Sequence, residues 1–228
     1  MIFFTSDLHF GHERVLEVCH RPFRDIREMN RVLVEKFNAV VHPEDTVYIL
    51  GDVAHRMPLP EVQELLVGMN GHKILLSGNH DLTYDYAKSY QTEDGQMVQL
   101  FEEISDMKTI RAEKHTLVMM HYPMLSWLDS RRGSIMLHGH IHAAAGYNRE
   151  NQEKGLRRFD IGVDANDYAP VSLEEVLRMA KGCRKNADYS RMEYYLDAGM
   201  NLGKNKTRPI KNSTFPPEKP QKLPEKSA

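Results

Sequence analysis

The pattern of apolar positions predicts short strands that alternate with helices. Six runs rich in β-branched, aromatic and large aliphatic residues are bounded by glycine or polar clusters, which is typical of buried strands. They cover residues 2–5, 46–50, 73–76, 116–120, 134–137 and 159–163. Segments with helical spacing separate several of these runs, and such an alternation favours an α/β fold.

Four helices are predicted from spacing and from their terminal residues. In residues 26–40 apolar positions recur at helical spacing, and Asp25 with Glu28 resembles a capping pair at the start. A second helix is predicted over 60–69 and a third over 172–182. A fourth is predicted over 189–198. Residues 93–115 show neither period clearly, and an additional strand there stays open.

Polar clusters follow five of the six predicted strands at the point where each strand ends. The clusters are Ser6-Asp7-Leu8-His9, Gly51-Asp52, Gly78-Asn79-His80-Asp81, His121, and His138-Gly139-His140-Ile141-His142. In α/β sheets, ligands bind outside the carboxyl ends of the strands. The sequence therefore predicts one site assembled from residues 7 to 142.

The side chains in these clusters suit metal ions. Asp7 and His9 are two positions apart, so extended backbone would point both side chains the same way, and His140 and His142 repeat this spacing. The full donor set exceeds what one tetrahedral ion with an open position needs, and it suits two ions bridged by a carboxylate. Mixed imidazole, carboxylate and amide donors favour Mn, Fe, Co, Ni or Zn over Ca. The candidate ligands are Asp7, His9, Asp52, Asn79, His121, His140 and His142.

Composition narrows the class of protein. The chain has 228 residues and a net charge of −2, which argues against a protein that coats nucleic acid. Cys19 and Cys183 fit no CxxC pattern, so a reducing, cytoplasmic location is expected. No apolar run approaches the ~20 residues that span a bilayer, so no membrane association is expected.

The end of the chain differs from the rest. Residues 201–228 carry six Lys and one Arg against two Glu, and they hold five of the 11 prolines. With few large apolar residues, such a segment cannot offset its ordering entropy. We expect one domain over residues 1–199 and a basic, Pro- and Lys-rich disordered tail over 200–228.

The five polar blocks resemble the calcineurin-like metallophosphoesterases, whose pattern is D-x-H, G-D, G-N-H-[D/E], H and G-H-x-H. The opening FFTSDLHFGH and the later DIGVDANDYAPVSLEE are similar to small bacterial and phage members, and the resemblance covers about residues 1–180. It implies two facing mixed β-sheets flanked by helices in a four-layer α/β/β/α arrangement. It also implies a dinuclear metal site at the strand ends, with Mn²⁺ the first expectation and Fe, Zn, Ni or Co the alternatives.

The resemblance also implies a role for each residue. One ion would be held by Asp7, His9 and His142, and the other by Asn79, His121 and His140, with Asp52 bridging them. A metal-bound hydroxide would attack phosphorus, and His80 would be catalytic. It would protonate the leaving alkoxide or donate a hydrogen bond to a phosphoryl oxygen.

Several other residues are weaker candidates. Substrate contacts are predicted for His12, Arg21, Arg24 and Arg56, with helix capping or ordinary ion pairs as alternatives. Asp164 could orient a ligand histidine. Tyr122 and Trp127 could stack on a base or pack as ordinary apolar side chains.

One departure from the family separates the candidate reactions. The phosphoprotein phosphatases continue their second block as Gly-Asp-x-x-Asp-Arg-Gly, whereas this chain has His55 and Met57 in place of the last Asp and Gly. We therefore predict a phosphodiesterase acting on nucleotides or nucleic-acid ends. The alternatives are a phosphomonoesterase, including a phosphoprotein phosphatase, and a non-catalytic metal-binding scaffold.

Overall fold

The computed structural model describes residues 1–87, 89–92 and 95–183. All of the described residues lie within one compact unit, Met1–Ala187. The predicted helix over 189–198, the predicted tail and the domain boundary at residue 199 lie outside the described residues.

Eleven strands and five α-helices are found in the described part of the chain. The helices are α1 (Glu13–Val18), α2 (Ile26–Val40), α3 (Leu59–Val67), α4 (Tyr147–Glu153) and α5 (Leu173–Gly182). The strands are β1 (Ile2–Thr5), β2 (Thr46–Ile49), β3 (His72–Leu76), β4 (Tyr90–Gln91), β5 (Met97–Val98), β6 (Glu103–Ser105), β7 (Met107–Ala112), β8 (His115–Met120), β9 (Ile135–His138), β10 (Arg158–Asp160) and β11 (Val171–Ser172).

The strands form two larger mixed sheets and one short hairpin. The first sheet has the order β11-β1-β2-β3-β6, in which only β11 runs antiparallel to its neighbour. The second has the order β10-β9-β8-β7, in which only β7 is antiparallel. Strands β4 and β5 pair with each other. The predicted α/β class with mixed sheets flanked by helices is confirmed.

Two apolar layers follow from the alternation of side chains along the strands. On one face of the first sheet, Phe3, Val47 and Leu75 belong to one cluster with α2 and α3 residues such as Phe37 and Leu66. On the other face, residues of β1, β2 and β3 share a cluster with residues of β8, β9 and β10, which shows that the two sheets face each other. Its members include Phe4, Leu50, Leu76, Leu117, Leu137 and Phe159.

Local signals in the sequence account for the starts of α2 and α5. Asp25 accepts a hydrogen bond from the Glu28 backbone amide at 2.8 Å, and Ser172 with Glu175 forms a reciprocal capping box at the start of α5. Helix α4 was not predicted, because its sequence is almost entirely polar and only Asn151 is buried. No helix in the described ranges is long and apolar enough to cross a membrane.

Two predicted features need adjustment. The predicted strand 159–163 ends at Asp160, because the chain then turns into a 3₁₀ helix at Val163–Ala165. The segment 93–115, whose sequence shows no clear period, contains β5, β6 and β7 in its described part and the start of β8 at its end. These strands are short or half-exposed, so their periodicity is weak in the sequence.

Candidate metal centre

Strand ends from both sheets meet at one place. Asp7 and His9 follow β1, Asp52 follows β2, and the blocks after β3, β8 and β9 supply the other candidates. Backbone hydrogen bonds join the loop after β1 to the loop after β2. The Asp7 amide donates to the Gly51 carbonyl and the His9 amide to the Asp52 carbonyl, each at 3.0 Å. The predicted convergence is thus present in the folded chain.

Asp52 lies at the centre of the cluster. Its Oδ2 atom is 3.5 Å from Nε2 of His9 and 3.5 Å from Nε2 of His121. On one side His9 Nε2 lies 3.1 Å from His142 Nε2, and on the other His121 Nε2 lies 3.2 Å from Asn79 Oδ1. One carboxylate oxygen therefore adjoins donors that belong to two separate groups.

These separations fit a shared ion. Asp7, His9 and His142 present ligand atoms within 4.8 Å of one another, and so do Asp52, His121 and His140. Two nitrogens each about 2.1 Å from one ion lie about 3.0–3.4 Å apart at common coordination angles. The observed 3.1 Å between His9 and His142 falls in this range. The residues present thus fit a metal-binding role.

The backbone reaches this arrangement through left-handed conformations. The φ angle is +58° at Asp7, +53° at His9, +54° at Asp52, +70° at His140 and +46° at His142. The expectation that extended backbone aligns Asp7 with His9, and His140 with His142, is wrong. Tight turns at the strand ends aim these side chains, and such a conformation costs on the order of 1–3 kcal/mol per non-glycine residue.

Glycines allow the strand-end loops to touch. Gly51 has φ of +87°. A Cβ atom at Gly139 would overlap the Ser6 hydroxyl and the Asp7 carboxylate, and one at Gly78 would overlap the Asp52 carboxylate. The glycine that precedes each of Asn79 and His140 is therefore required for close approach rather than for a positive φ.

Two of the histidines have their second ring nitrogen occupied by the protein. Nδ1 of His142 lies 2.7 Å from Asp164 Oδ2, and Nδ1 of His121 lies 2.7 Å from the Leu50 carbonyl oxygen. A proton on each Nδ1 leaves each Nε2 with its lone pair directed into the cluster, as metal-binding histidines require. The predicted orienting contact of Asp164 is present.

Arg21 has a structural position, which corrects its prediction as a substrate contact. The side chain is buried, and its guanidinium donates to both carboxylate oxygens of Asp164 at 2.8 Å. It also donates to the Asp7 carbonyl at 2.7 Å and to the Leu8 carbonyl at 3.0 Å. These N–H donors are therefore all paired inside the protein. They connect the Asp7 backbone to Asp164, the partner of His142.

The other predicted substrate contacts differ in position. Arg24 is exposed and pairs with neighbouring Asp25 at 3.2 Å. His12 lies against the cluster, with its Nδ1 3.2 Å from Nδ1 of His9. Arg56 is exposed and lines a cavity that also touches Asn79. His12 and Arg56 therefore stay predicted substrate contacts.

His80 stands next to the centre but farther from Asp52 than His9 and His121 do. Its Nε2 is 3.9 Å from Asp52 Oδ2, and its ring packs edge-on against His55 with centroids 4.3 Å apart. Its backbone amide donates to Asp52 Oδ1 at 2.9 Å. His80, His9 and Asp52 also form a group whose ligand atoms lie within 4.8 Å, so geometry alone permits His80 as a ligand.

The two aromatic candidates, Trp127 and Tyr122, differ in burial and in their position relative to the cluster. Trp127 is buried, and its indole donates to the Ser134 carbonyl at 3.4 Å, so it packs as part of the protein interior. Tyr122 is 39% exposed, and its ring lies edge-on to His140 with centroids 4.6 Å apart. Only Tyr122 remains at the border of the cluster.

Asp81 is an organising residue that the sequence reasoning missed. Its buried carboxylate accepts hydrogen bonds from the backbone amides of Asp52 at 2.7 Å, Val53 at 2.9 Å and Gly78 at 2.8 Å. It thereby holds the second and third blocks together. The signal was available, because Asp81 is the fourth residue of the Gly-Asn-His-Asp block.

Burial controls the protonation of the metal-free cluster. Burial raises the pKa of Asp7 to about 8, and it lowers the pKa of His9. Burial also lowers the pKa of His142, but hydrogen bonds with Asp164 and Cys19 outweigh it and raise the value to about 10. The Asp7 carboxyl therefore resists ionisation unless a positive charge lies close to it.

A family model matches the part of the chain that contains this cluster. Residues 1–144 match the family model described as calcineurin-like phosphoesterase. The chain belongs to the calcineurin-like phosphoesterase family. It is therefore a phosphoester hydrolase of a metal-dependent family, with a phosphoester as substrate.

Three proteins of similar length resemble this chain over most of their own length. The chain is 28% identical to an uncharacterised protein of Methanocaldococcus jannaschii over 78% of this chain and 90% of that one. It is 30% identical to the gene 66 protein of Mycobacterium phage L5 over 71% and 86%. A solved Aquifex aeolicus protein of unknown function has a TM-score of 0.59 and 25% identity, over 78% of this chain and 98% of that one.

We predict that Asp81→Ala weakens both the fold and the centre. Three buried amides would lose a charged acceptor, so the free energy of unfolding should fall by about 2–4 kcal/mol. Phosphoesterase activity should fall with it, because Asp52 and Asn79 lose their common support. Urea denaturation and a steady-state assay measure both, with exposed Asp106→Ala as the matched control. Unchanged stability and activity in Asp81→Ala would contradict this role.

Proposed function

We propose that the protein is a phosphodiesterase that uses two divalent cations and acts on nucleotides or nucleic-acid ends. The observation that carries this proposal is the position of the Asp52 carboxylate, 3.5 Å from a histidine of each ligand group. The cations would supply an activated water and neutralise charge on the phosphoryl oxygens. Mn²⁺ is the first choice, with Fe, Zn, Ni or Co as alternatives, because the donors mix nitrogen and oxygen.

The seven predicted ligands divide into two sets around Asp52. We assign Asp7, His9 and His142 to one ion. We assign Asn79, His121 and His140 to the other, and Asp52 to both. The contacts of His9 with His142 and of His121 with Asn79 support this division, because each joins members of one set.

His80 is the proposed proton donor to the leaving oxygen. It is half-buried beside Asp52, and its ring is held by contacts with His9 and His55. A side chain that faces both the candidate metal centre and the solvent can reach the leaving-group oxygen of a substrate phosphoester. Positioned proton transfer of this kind contributes about 10²–10⁴-fold to turnover.

The preference for diesters rests on the second block. His55 occupies the position of an aspartate in the phosphoprotein phosphatases, and its ring packs on His80. A carboxylate partner for His80 is therefore replaced by an imidazole.

The described thiols of Cys19 and Cys183 are free, which supports the proposed cytoplasmic location.

Two model substrates test the reaction. The protein with added Mn²⁺ should hydrolyse bis-p-nitrophenyl phosphate faster than p-nitrophenyl phosphate, and a chelator should abolish both activities. Hydrolysis of the monoester alone would favour the phosphomonoesterase alternative. Absence of both, with metal bound, would favour the scaffold alternative. Full activity in protein shown by elemental analysis to be metal-free would overturn the metal-dependent mechanism.

Two substitutions should separate metal binding from catalysis. Asp52→Asn removes the charge shared by both ligand groups, so metal content and activity should fall together. His80→Ala should keep two metal ions per chain and lower turnover by about 10²–10⁴-fold for poor leaving groups, with a smaller loss for p-nitrophenolate. Elemental analysis and rates across leaving groups of rising pKa measure this. Loss of one ion in His80→Ala would make His80 a ligand, and an equal loss across leaving groups would make it a contact to the phosphoryl oxygens.

Metal affinity should rise with pH. At pH 7 the metal-free protein carries protons on Asp7, whose pKa is about 8, and on His142, whose pKa is about 10. Binding must displace these protons, so about one to two protons should be released per chain at pH 7 and fewer at pH 9. Calorimetry in buffers of different ionisation enthalpy counts them. Binding at pH 7 with no proton release would show that these groups are not ligands.

A further inference from the structure

A cavity opens directly beside the candidate metal centre. Its volume is about 540 Å³, within the range of about 300–1,000 Å³ that is typical of small-molecule sites. Asn79 and His80 form one wall, so the cavity is continuous with the centre. The remaining lining residues are His55, Arg56, Met57, Leu59, Thr83 and Tyr84.

The charge of the cavity favours an anion. Arg56 is the only permanently charged side chain among the described residues that line it, and no carboxylate faces it there. A guanidinium pairs bidentately with phosphate oxygens. The cavity therefore suits a ligand that brings a negative group to Arg56.

The same cavity has an aromatic wall with a fixed orientation. The Tyr84 hydroxyl donates to the Met57 carbonyl and accepts from the Met57 amide, each at 3.1 Å. The ring of Tyr86 stacks on Tyr84, with centroids 5.2 Å apart and planes 9° apart. One face of Tyr84 is thus covered, and the other face or the edge lines the cavity together with Met57 and Leu59. Flat, apolar surfaces of this kind accept nucleobases.

We propose that this cavity binds one nucleotide half of the substrate, with its base against Tyr84 and a second phosphate on Arg56. The inference rests on the proposed function, because it takes the scissile phosphate to lie at the centre beside Asn79 and His80. It specifies the substrate class as a nucleotide diester in which one nucleoside carries a further phosphate. Such a ligand contacts both the Arg56 guanidinium and the aromatic wall. A simple alkyl or aryl diester has no second phosphate to pair with Arg56.

Binding of product-like nucleotides tests the role of Arg56 without requiring turnover. Calorimetry on the metal-loaded protein compares thymidine 3′,5′-bisphosphate with the 3′- and 5′-monophosphates. The bisphosphate should bind about 10- to 100-fold more tightly than either monophosphate, as expected for one charge-assisted pair. In Arg56→Ala this ratio should fall to near one, and in Arg56→Lys it should be partly retained. Arg178→Ala, an exposed arginine on α5 that pairs with Glu175, should leave the ratio unchanged.

A second pair of variants tests the aromatic wall. Tyr84→Ala should weaken binding of thymidine 3′,5′-bisphosphate more than binding of the base-free deoxyribose 3,5-bisphosphate. Tyr84→Phe keeps the ring and should keep the preference for the nucleotide, although it loses the hydrogen bonds to Met57. Thermal unfolding of both variants, measured alongside, detects any general loss of structure.

The outcomes distinguish this inference from the proposed function. Equal affinity for the bisphosphate and the monophosphates, or an unchanged ratio in Arg56→Ala, would overturn the second-phosphate site. An unaltered base preference in Tyr84→Ala would overturn the base contact. If either of these two negative results is found and the protein still hydrolyses diesters, the proposed function holds and the inference about the cavity fails. An Arg56-dependent bisphosphate preference without diester hydrolysis would support the cavity and reject the phosphodiesterase.

Discussion

The structure of the centre depends on left-handed backbone at five of its seven candidate ligands. Such conformations are uncommon for residues with a Cβ atom, and each is held only by surrounding structure. Here the support comes from neighbouring strand-end loops, which exchange backbone hydrogen bonds and pack where glycines provide room. Because the two sheets bring their strand ends to one edge, the fold supplies this support from both sides.

Buried ionic contacts lock these loops in position. The Asp81 carboxylate joins the second and third blocks through three backbone amides. Arg21 joins the carbonyl of Asp7 to Asp164, which in turn fixes the ring of His142. The candidate ligands are thus oriented by charged partners behind them, and the accuracy of the site depends on residues that never face the substrate.

Much of this architecture could be predicted from the sequence, and the errors have physical causes. Strands β1, β2, β3, β8 and β9 are buried and apolar, so their runs and the polar blocks after them are visible in the pattern. The backbone conformation at Asp7 and His9 was mispredicted, because side-chain spacing alone cannot distinguish an extended segment from a tight turn. Arg21 was misassigned for a related reason, since its buried partners come from residues 7, 8 and 164 and only the fold brings them together.

Burial of the Asp7 carboxylate lowers the free energy of unfolding, and a bound cation can offset this penalty. Burial raises the pKa of Asp7 to about 8, so its ionised form is disfavoured in the metal-free fold. Protonation of Asp7 therefore stabilises the folded chain; this contribution is complete below the ordinary carboxyl pKa and is lost as pH rises toward 8. At neutral pH the penalty is on the order of several kcal/mol, in addition to the backbone strain. A bound cation removes the electrostatic part by pairing with the carboxylate, so metal binding must stabilise the folded chain by mass action. The residues that make the site costly when empty are those that make it selective for a cation.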